Sequence, residues 1–258
     1  MNDHEAFLQA IFKYPEDTTA RLVYADWLDE HDHPGGELIR VRHELSTPNL
    51  SKAKRTSLIS RERKLVAGCD QDWLECLERS DWKARYLAMR PDDTKPNQWA
   101  KQRQRHWTAT AQKALSRGVS AFEKELGKPL PRSWKSFAHG CGPGEVGGYF
   151  RLYVPTKTKG SVVTEHREWF RWHVEENEPG ADQLWLRDCI CFGWTIGGEA
   201  LVWDTSRITD PVRTEYEVAW LDRSDRKYRT FDSFEAFWAA ALTPFETADG
   251  PITLFWPY

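Results

Sequence analysis

The chain has 258 residues, of which 40% are hydrophobic and 13% aromatic, enough for one large or two small domains with packed cores. That aromatic content excludes a disordered composition. A formal charge of −3 and a pI near 6.3 exclude a strongly basic nucleic-acid binder.

The N-terminal stretch reads as all helix. Asp3 is positioned to cap a helix with Phe7, Leu8, Ile11 and Phe12 on one side, ended by Pro15. A second helix is predicted from about Thr18 to His31, with Leu22, Val23, Trp27 and Leu28 inward. Pro34-Gly35-Gly36 reads as a turn. A third helix carries Leu38, Val41 and Leu45. A fourth, highly charged, runs from about Ser51 to Gly68 with Leu58, Ile59, Leu65 and Val66 inside. Asp70 caps a short fifth helix bearing Trp73, Leu74 and Leu77.

Within this stretch Arg21-Leu22-Val23-Tyr24-Ala25-Asp26-Trp27-Leu28 and Gly36-Glu37-Leu38-Ile39-Arg40 resemble the central motifs of the short "repeat-companion" domain. The resemblance covers about residues 1–78. It implies a modular partner domain without established activity, in which Arg21, Tyr24, Asp26 and Trp27 are architectural. Residues 1–80 are therefore predicted to form a helical domain. Residues 81–110, polar and with prolines at 91 and 96, read as a linker, and 111–258 as a second domain.

The clearest pattern lies in that second domain. Leu115, Val119, Phe122 and Leu126 recur every three or four residues and give one apolar helix face. Gly127 ends the helix, because glycine takes the left-handed turn without steric cost. Pro131 opens a second short helix with Trp134 and Phe137 inward. Tyr149–Val154 alternates like a strand. Glu165–Glu176 reads as a helix with Trp169, Phe170 and His173 on one side. Cys189–Ile196 reads as a buried strand, Gly197-Gly198 as a tight turn and Ala200–Trp203 as the paired strand. Tyr216–Leu221 alternates again. The last helix carries Phe234, Phe237, Trp238 and Ala241 inside, with Asp232 and Glu235 spaced as a capping box. The tail, Thr243–Tyr258, has no assigned element. The expected fold class is α+β: a small all-helical N-terminal domain, then a domain with a mainly antiparallel sheet flanked by helices.

Three of these patterns, in order, resemble the SUKH superfamily (the Smi1/Knr4 type). They are the helix–Gly127–Leu130-Pro131–helix module, Phe192-Gly193 through Gly198 to Leu201-Val202-Trp203-Asp204, and Ser233-Phe234-Glu235-Ala236-Phe237. The resemblance covers about residues 112–243. A charged, Trp-rich insert at about Thr156–Gly180 departs from it. The family implies a protein-binding module, best attested in bacteria as an immunity protein that masks a cognate toxin of nuclease or deaminase type. An intracellular scaffold is the alternative, and an enzyme assembled from non-local residues the third. Gly127, Leu130, Pro131, Trp134, Phe192, Gly193, Phe234 and Phe237 are then architectural. The expected binding surface is the sheet face left uncovered by helices. Its expected partner-binding residues are Trp169, Trp172, Trp194, Trp203 and Trp220, with Asp204 and Glu217 as rim charges. With fourteen Trp in the chain, some are expected at an interface, where Trp is a frequent anchor.

Searches for local chemistry return structural readings. The glycines at 140, 142, 144, 147 and 148 lack the Lys-Ser/Thr of a phosphate loop and read as a turn. His31-Asp32-His33 reads as a surface cluster, because metal sites need spaced ligands with outer support. Cys189 and Cys191 fall on one strand face and read as small buried hydrophobes. No catalytic residue, cofactor or metal is therefore assigned. Two basic stretches, Lys52–Lys64 and Lys101–Arg105, the latter near Trp99 and Trp107, are the only nucleic-acid candidates. Residues 1–110 hold 18 basic and 18 acidic side chains, however, so they read as solvated surface. The five cysteines lack framework spacing, the N-terminus lacks a signal pattern, and no apolar run approaches a bilayer's thickness. The expected protein is cytoplasmic, with a protein partner and no membrane; the sequence leaves its oligomeric state open.

Overall fold

The structure is a computed structural model that describes residues 3–15, 17–47, 50–88, 108–146, 149–155, 161–177, 179–241 and 255–257. The linker positions 89–107, including the second basic stretch with Trp99 and Trp107, lie outside the described residues, as does most of the tail. The chain divides into two compact units, Met1–Ala84 and Arg85–Tyr258.

The first unit is built from α1 (Asp3–Lys13), α2 (Thr18–Glu30), α3 (Gly35–Leu45), α4 (Lys52–Gly68) and α5 (Gln71–Ala88). Asp17 Oδ1 accepts the Thr19 and Ala20 N–H groups, Ser51 Oγ that of Lys54, and Asp70 Oδ1 that of Trp73. Each satisfies helix-start donors that have no partner within the helix. Ile11, Tyr24, Leu28, Leu38, Leu74 and Leu77 form the buried core. The motif residues have clear jobs. The Tyr24 hydroxyl accepts the Trp73 Nε1–H at 2.8 Å and meets His4 Nδ1 at 3.0 Å. Burial pushes the Tyr24 pKa up to about 12. Arg21 donates to Asp81 Oδ1 at 2.6 Å, and Arg40 to Asp26 Oδ1 at 2.6 Å. Trp27 stacks on His31 with ring centroids 4.0 Å apart.

Two expectations change here. Gly35 and Gly36 are not a turn but the first residues of α3. A Cβ on Gly35 would collide with the Trp73 ring, and one on Gly36 would sit 2.6 Å from Ala25 O. These glycines thus let α3 approach its neighbours closely. The fifth helix is not short: it runs 18 residues, past the boundary expected at residue 80, and buries Trp82 as well as Trp73, Leu74 and Leu77.

The second unit is α+β. Its helices are α6 (Ala109–Leu126), α7 (Arg132–Gly140), α8 (Val162–Phe170) and α9 (Phe234–Ala241). Its strands are β1 (Gly144–Val146), β2 (Phe150–Leu152), β3 (Cys189–Thr195), β4 (Ala200–Asp210), β5 (Glu215–Leu221), β6 (Lys227–Phe231) and β7 (Phe255–Pro257). They form one antiparallel sheet in the order β6-β5-β4-β3-β2-β1-β7. Gly127 has φ +63° as the C-cap of α6, and Pro131 is the N-cap of α7. In the last helix the cap is Ser233, whose Oγ accepts the Ala236 N–H at 3.1 Å, rather than Asp232.

The predicted helix 165–176 is two things. Regular α8 ends at Phe170 and a π turn follows from Arg171 to Glu176, closed by Asn177 N–H donating to Trp172 O at 3.2 Å. A 3₁₀ segment (Ala181–Asp188) then leads into β3. That segment, the short strand β1 and the edge strand β6 go beyond the elements expected from the sequence, and β4 runs seven residues beyond the expected Trp203.

Both faces of the central strands are covered. On one, Phe150, Phe192 and Trp203 pack under Trp134 of α7 and Phe234 and Phe237 of α9, with centroids 4.4–6.0 Å apart. On the other, Cys189, Cys191, Val202, Ala219 and Leu221 pack under Trp169, Val174 and Leu186. This is why Cys189–Gly193 and Ala200–Thr205 are continuously buried rather than alternating. The uncovered sheet face expected from the sequence is therefore absent over the central strands; it remains over β1, β2 and the end of β3, and residues 206–209 of β4 and 228–230 of β6 are also exposed.

Candidate partner-binding site

The structure sorts the expected partner-binding residues by burial. Trp203 is fully buried, stacked on Phe192 at 4.4 Å and edge-on to Trp134 at 5.2 Å. Trp169 is fully buried on the inner side of α8, packed on the sheet, and Trp220 is covered by the rings of Tyr149, Phe150 and Tyr228. These three are core residues, not contacts for a partner, because helices or rings close over each strand face where they sit. Trp172, on the π turn, is 59% exposed. Trp194 is half-buried.

Asp204 is also corrected: it is a buried carboxylate, 1% exposed, not a rim charge. It faces Glu217 across the β4–β5 ladder. Lys227 Nζ donates to Asp204 Oδ2 at 2.8 Å and to Glu217 Oε1 at 2.6 Å, and lies 4.4 Å from the Trp185 ring centre. Ser206 donates to Asp204 Oδ1, and Arg207 to Glu217 Oε2 at 3.3 Å. Burial lowers the Lys227 pKa, but the bonds to Asp204 and Glu217 outweigh it and leave it raised. Both carboxylates thus have cationic partners, and the cluster clamps β4, β5 and β6 together.

The open part of the sheet carries a different set. Glu145, Arg151 and Trp194 are register partners across β1, β2 and β3, so their side chains line one row of one face. Arg151 is exposed and Glu145 half-buried, with Arg151 Nε 3.5 Å from Glu145 Oε2. Trp194 Nε1 donates to Glu165 Oε2 of α8 at 3.1 Å, which fixes the indole where helix and open sheet meet. Burial raises the Glu165 pKa; the Trp194 hydrogen bond lowers it and Glu168 raises it further. Tyr153 continues the Arg151 side of the strand. Its pKa is pushed up to about 12 by burial and then by Glu165. The arrangement is a rigid, half-buried aromatic ringed by fixed charges of both signs. Sequence reading named Trp194 but missed Arg151 and Tyr153, although the alternation in Tyr149–Val154 already set both opposite Phe150 and Leu152.

The cysteines are free thiols. Burial pushes the pKa values of Cys141, Cys189 and Cys191 upward, which makes them poor nucleophiles. Among the described residues no group of three or more His, Cys, Asp or Glu is placed to hold a metal ion, and no helix is long and apolar enough to cross a membrane. Comparison of the chain with protein-family models, curated proteins and solved structures finds no match.

Proposed function

We propose that this chain is a non-catalytic protein-binding protein of the SUKH type, acting in the bacterial cytoplasm as an immunity protein that masks a toxin of nuclease or deaminase type. The observation that carries this reading is the row Glu145–Arg151–Trp194 on the open part of the sheet, with the indole fixed by Glu165. A pre-positioned aromatic within a polar rim is the arrangement from which protein interfaces draw most of their energy. Masking needs only occlusion, so no reacting group is required. The buried Asp204 and the partly buried Glu217 support this, since their contacts serve the fold. A cellular scaffold is the second reading, favoured by the separate helical unit with its own core.

The full chain, immobilised in native bacterial lysate beside an Arg151→Ala/Trp194→Ala variant, tests the proposal. The expected result is one stoichiometric partner, captured by the native chain and lost with the variant. That partner should kill a host expressing it alone and spare one that also expresses this chain. A captured protein that is harmless when expressed alone favours the scaffold.

A further inference from the structure

We infer that the cavity between α6 and the α8–π segment is a socket for a side-chain amide, Asn or Gln, presented by the protein partner. This rests on the protein-binding reading above and assigns it a second, separate contact. The Trp-rich insert that departs from the family pattern builds one wall.

The cavity measures about 420 Å³. Glu125 and Leu126 line it from the end of α6, and His166 and Phe170 from α8. His166 is only 8% exposed. Its Nδ1 accepts the Cys191 N–H at 3.3 Å, so the proton of the neutral ring sits on Nε2. Burial holds the ring neutral, with its pKa lowered to about 4. Nε2–H has no hydrogen-bond partner among the described residues. A ligand that displaces solvent from this cavity is therefore favoured if it offers Nε2–H an acceptor.

The rim asks for a donor. Arg167 is held by both oxygens of Glu125, at 2.7 and 2.6 Å, and Arg171 by Glu176 at 3.5 Å. Glu168 and Glu175, which also line the cavity, form no ion pair among the described residues. A carboxylate or phosphate would meet their uncompensated charge. An ammonium or guanidinium has no lone pair for Nε2–H. A primary amide satisfies both needs, with its carbonyl on His166, its NH₂ on a carboxylate, and its methylenes against Leu126 and Phe170. Trp172, exposed on the adjoining π turn, makes the surroundings a macromolecular surface rather than an isolated small-molecule pocket. The same two acids favour a basic residue beside the amide in the partner's chain.

Selection of a random cyclic-peptide phage library on the full chain tests this without knowing the partner. The expected result is enrichment of one Asn or Gln next to Lys or Arg. Affinity should fall about tenfold for the surface variant Glu168→Gln/Glu175→Gln and for Trp172→Ala, the loss of one good contact each. Neither change touches the core, so folding does not confound the result. Peptides without an amide, peptides indifferent to both variants, or no enrichment would overturn the socket. So would free N-acetylglutamine amide binding as tightly as the peptides. Peptides lost only with Trp194→Ala would remove the socket yet leave the protein-binding reading standing.

Discussion

Lys227 Nζ lies 2.8 Å from Asp204 Oδ2, and that oxygen belongs to a carboxylate 1% exposed to solvent. The ammonium compensates the charge of a group that β4 carries into the interior and Glu217 faces from β5. Removing it leaves two adjacent carboxylates whose one other ion-pair partner among the described residues is Arg207, at 3.7 Å from Asp204 and 3.3 Å from Glu217. Lys227→Met should therefore destabilise the second unit by about 2–4 kcal/mol, somewhat below the usual cost of breaking a fully buried pair because Lys227 is partly exposed. Adding Asp204→Asn should recover part of the loss, which urea unfolding of the three proteins measures. The raised Lys227 pKa sets the pH window. Its stabilisation is complete below the ordinary lysine value and fades as pH rises through the higher folded value, so the native protein should weaken only in the alkaline range.

Glu215 gives the opposite case, a buried acid without an adequate cation. Burial pushes its pKa up to about 7, although Ser133 donates both its N–H and its hydroxyl to it, at 2.8 and 2.7 Å. The folded state thus binds a proton that the unfolded chain releases near 4.5. The Glu215 contribution to stability should be greatest below that value, fall by on the order of 2–3 kcal/mol as pH rises to about 7, and then level off, while His166, its pKa lowered to about 4, contributes in the opposite sense over the same range. The difference between the Glu215→Gln and native profiles isolates the Glu215 part: the variant should gain on the native protein as pH rises and exceed it in stability at pH 8. Thermal melts at pH 4.5, 6 and 8 decide it; parallel profiles for the two proteins would show that another group titrates.

Two motif glycines, alike in sequence, should respond differently to Ala. Gly127 has φ +63° and open space for 4 Å around the place a Cβ would take, so only backbone strain opposes the change, about 1 kcal/mol. At Gly193 the Cβ would lie 2.5 Å from Arg151 O, which forces β2 from β3 at a cost of about 2–3 kcal/mol. Denaturant midpoints should rank native, then Gly127→Ala, then Gly193→Ala. Because Arg151 belongs to the binding row, Gly193→Ala should also weaken partner capture.

What was legible in the sequence follows from periodicity. Phe234, Phe237, Trp238 and Ala241 are all buried as their spacing requires, and Leu115, Val119 and Phe122 likewise. Local pattern failed where tertiary contact decides. Gly35-Gly36 reads as a turn until Trp73, distant in sequence, is seen against it. Edge strand β6 carries Lys227, Tyr228, Arg229 and Thr230, three of them exposed, and so lacks the apolar alternation that marks a strand. For the site, tryptophan content announced an interface but not which rings form it. Trp172 and Trp203 sit in equally aromatic surroundings in the sequence, and only the helices above Trp203 separate them.

That separation yields the sharpest mutational contrast. Trp203 fills a layer between Phe192 and Trp134, so Trp203→Ala should leave a large cavity and cost about 3–5 kcal/mol. Trp172, mostly in solvent, has little to lose, and Trp172→Ala should leave stability within about 0.5 kcal/mol of native. Trp194 lies between: its indole N–H satisfies Glu165, and Trp194→Ala should cost about 1–2 kcal/mol while releasing that carboxylate. Under the protein-binding reading the order changes for partner affinity, with Trp194 first. Trp194→Ala should lose about 2 kcal/mol of binding or more, as expected for a central aromatic anchor, with the protein still folded at the assay temperature. Thermal melts and calorimetric titration with the captured partner measure both rankings. A Trp194→Ala protein that binds as the native one does would move the contact surface off the open sheet.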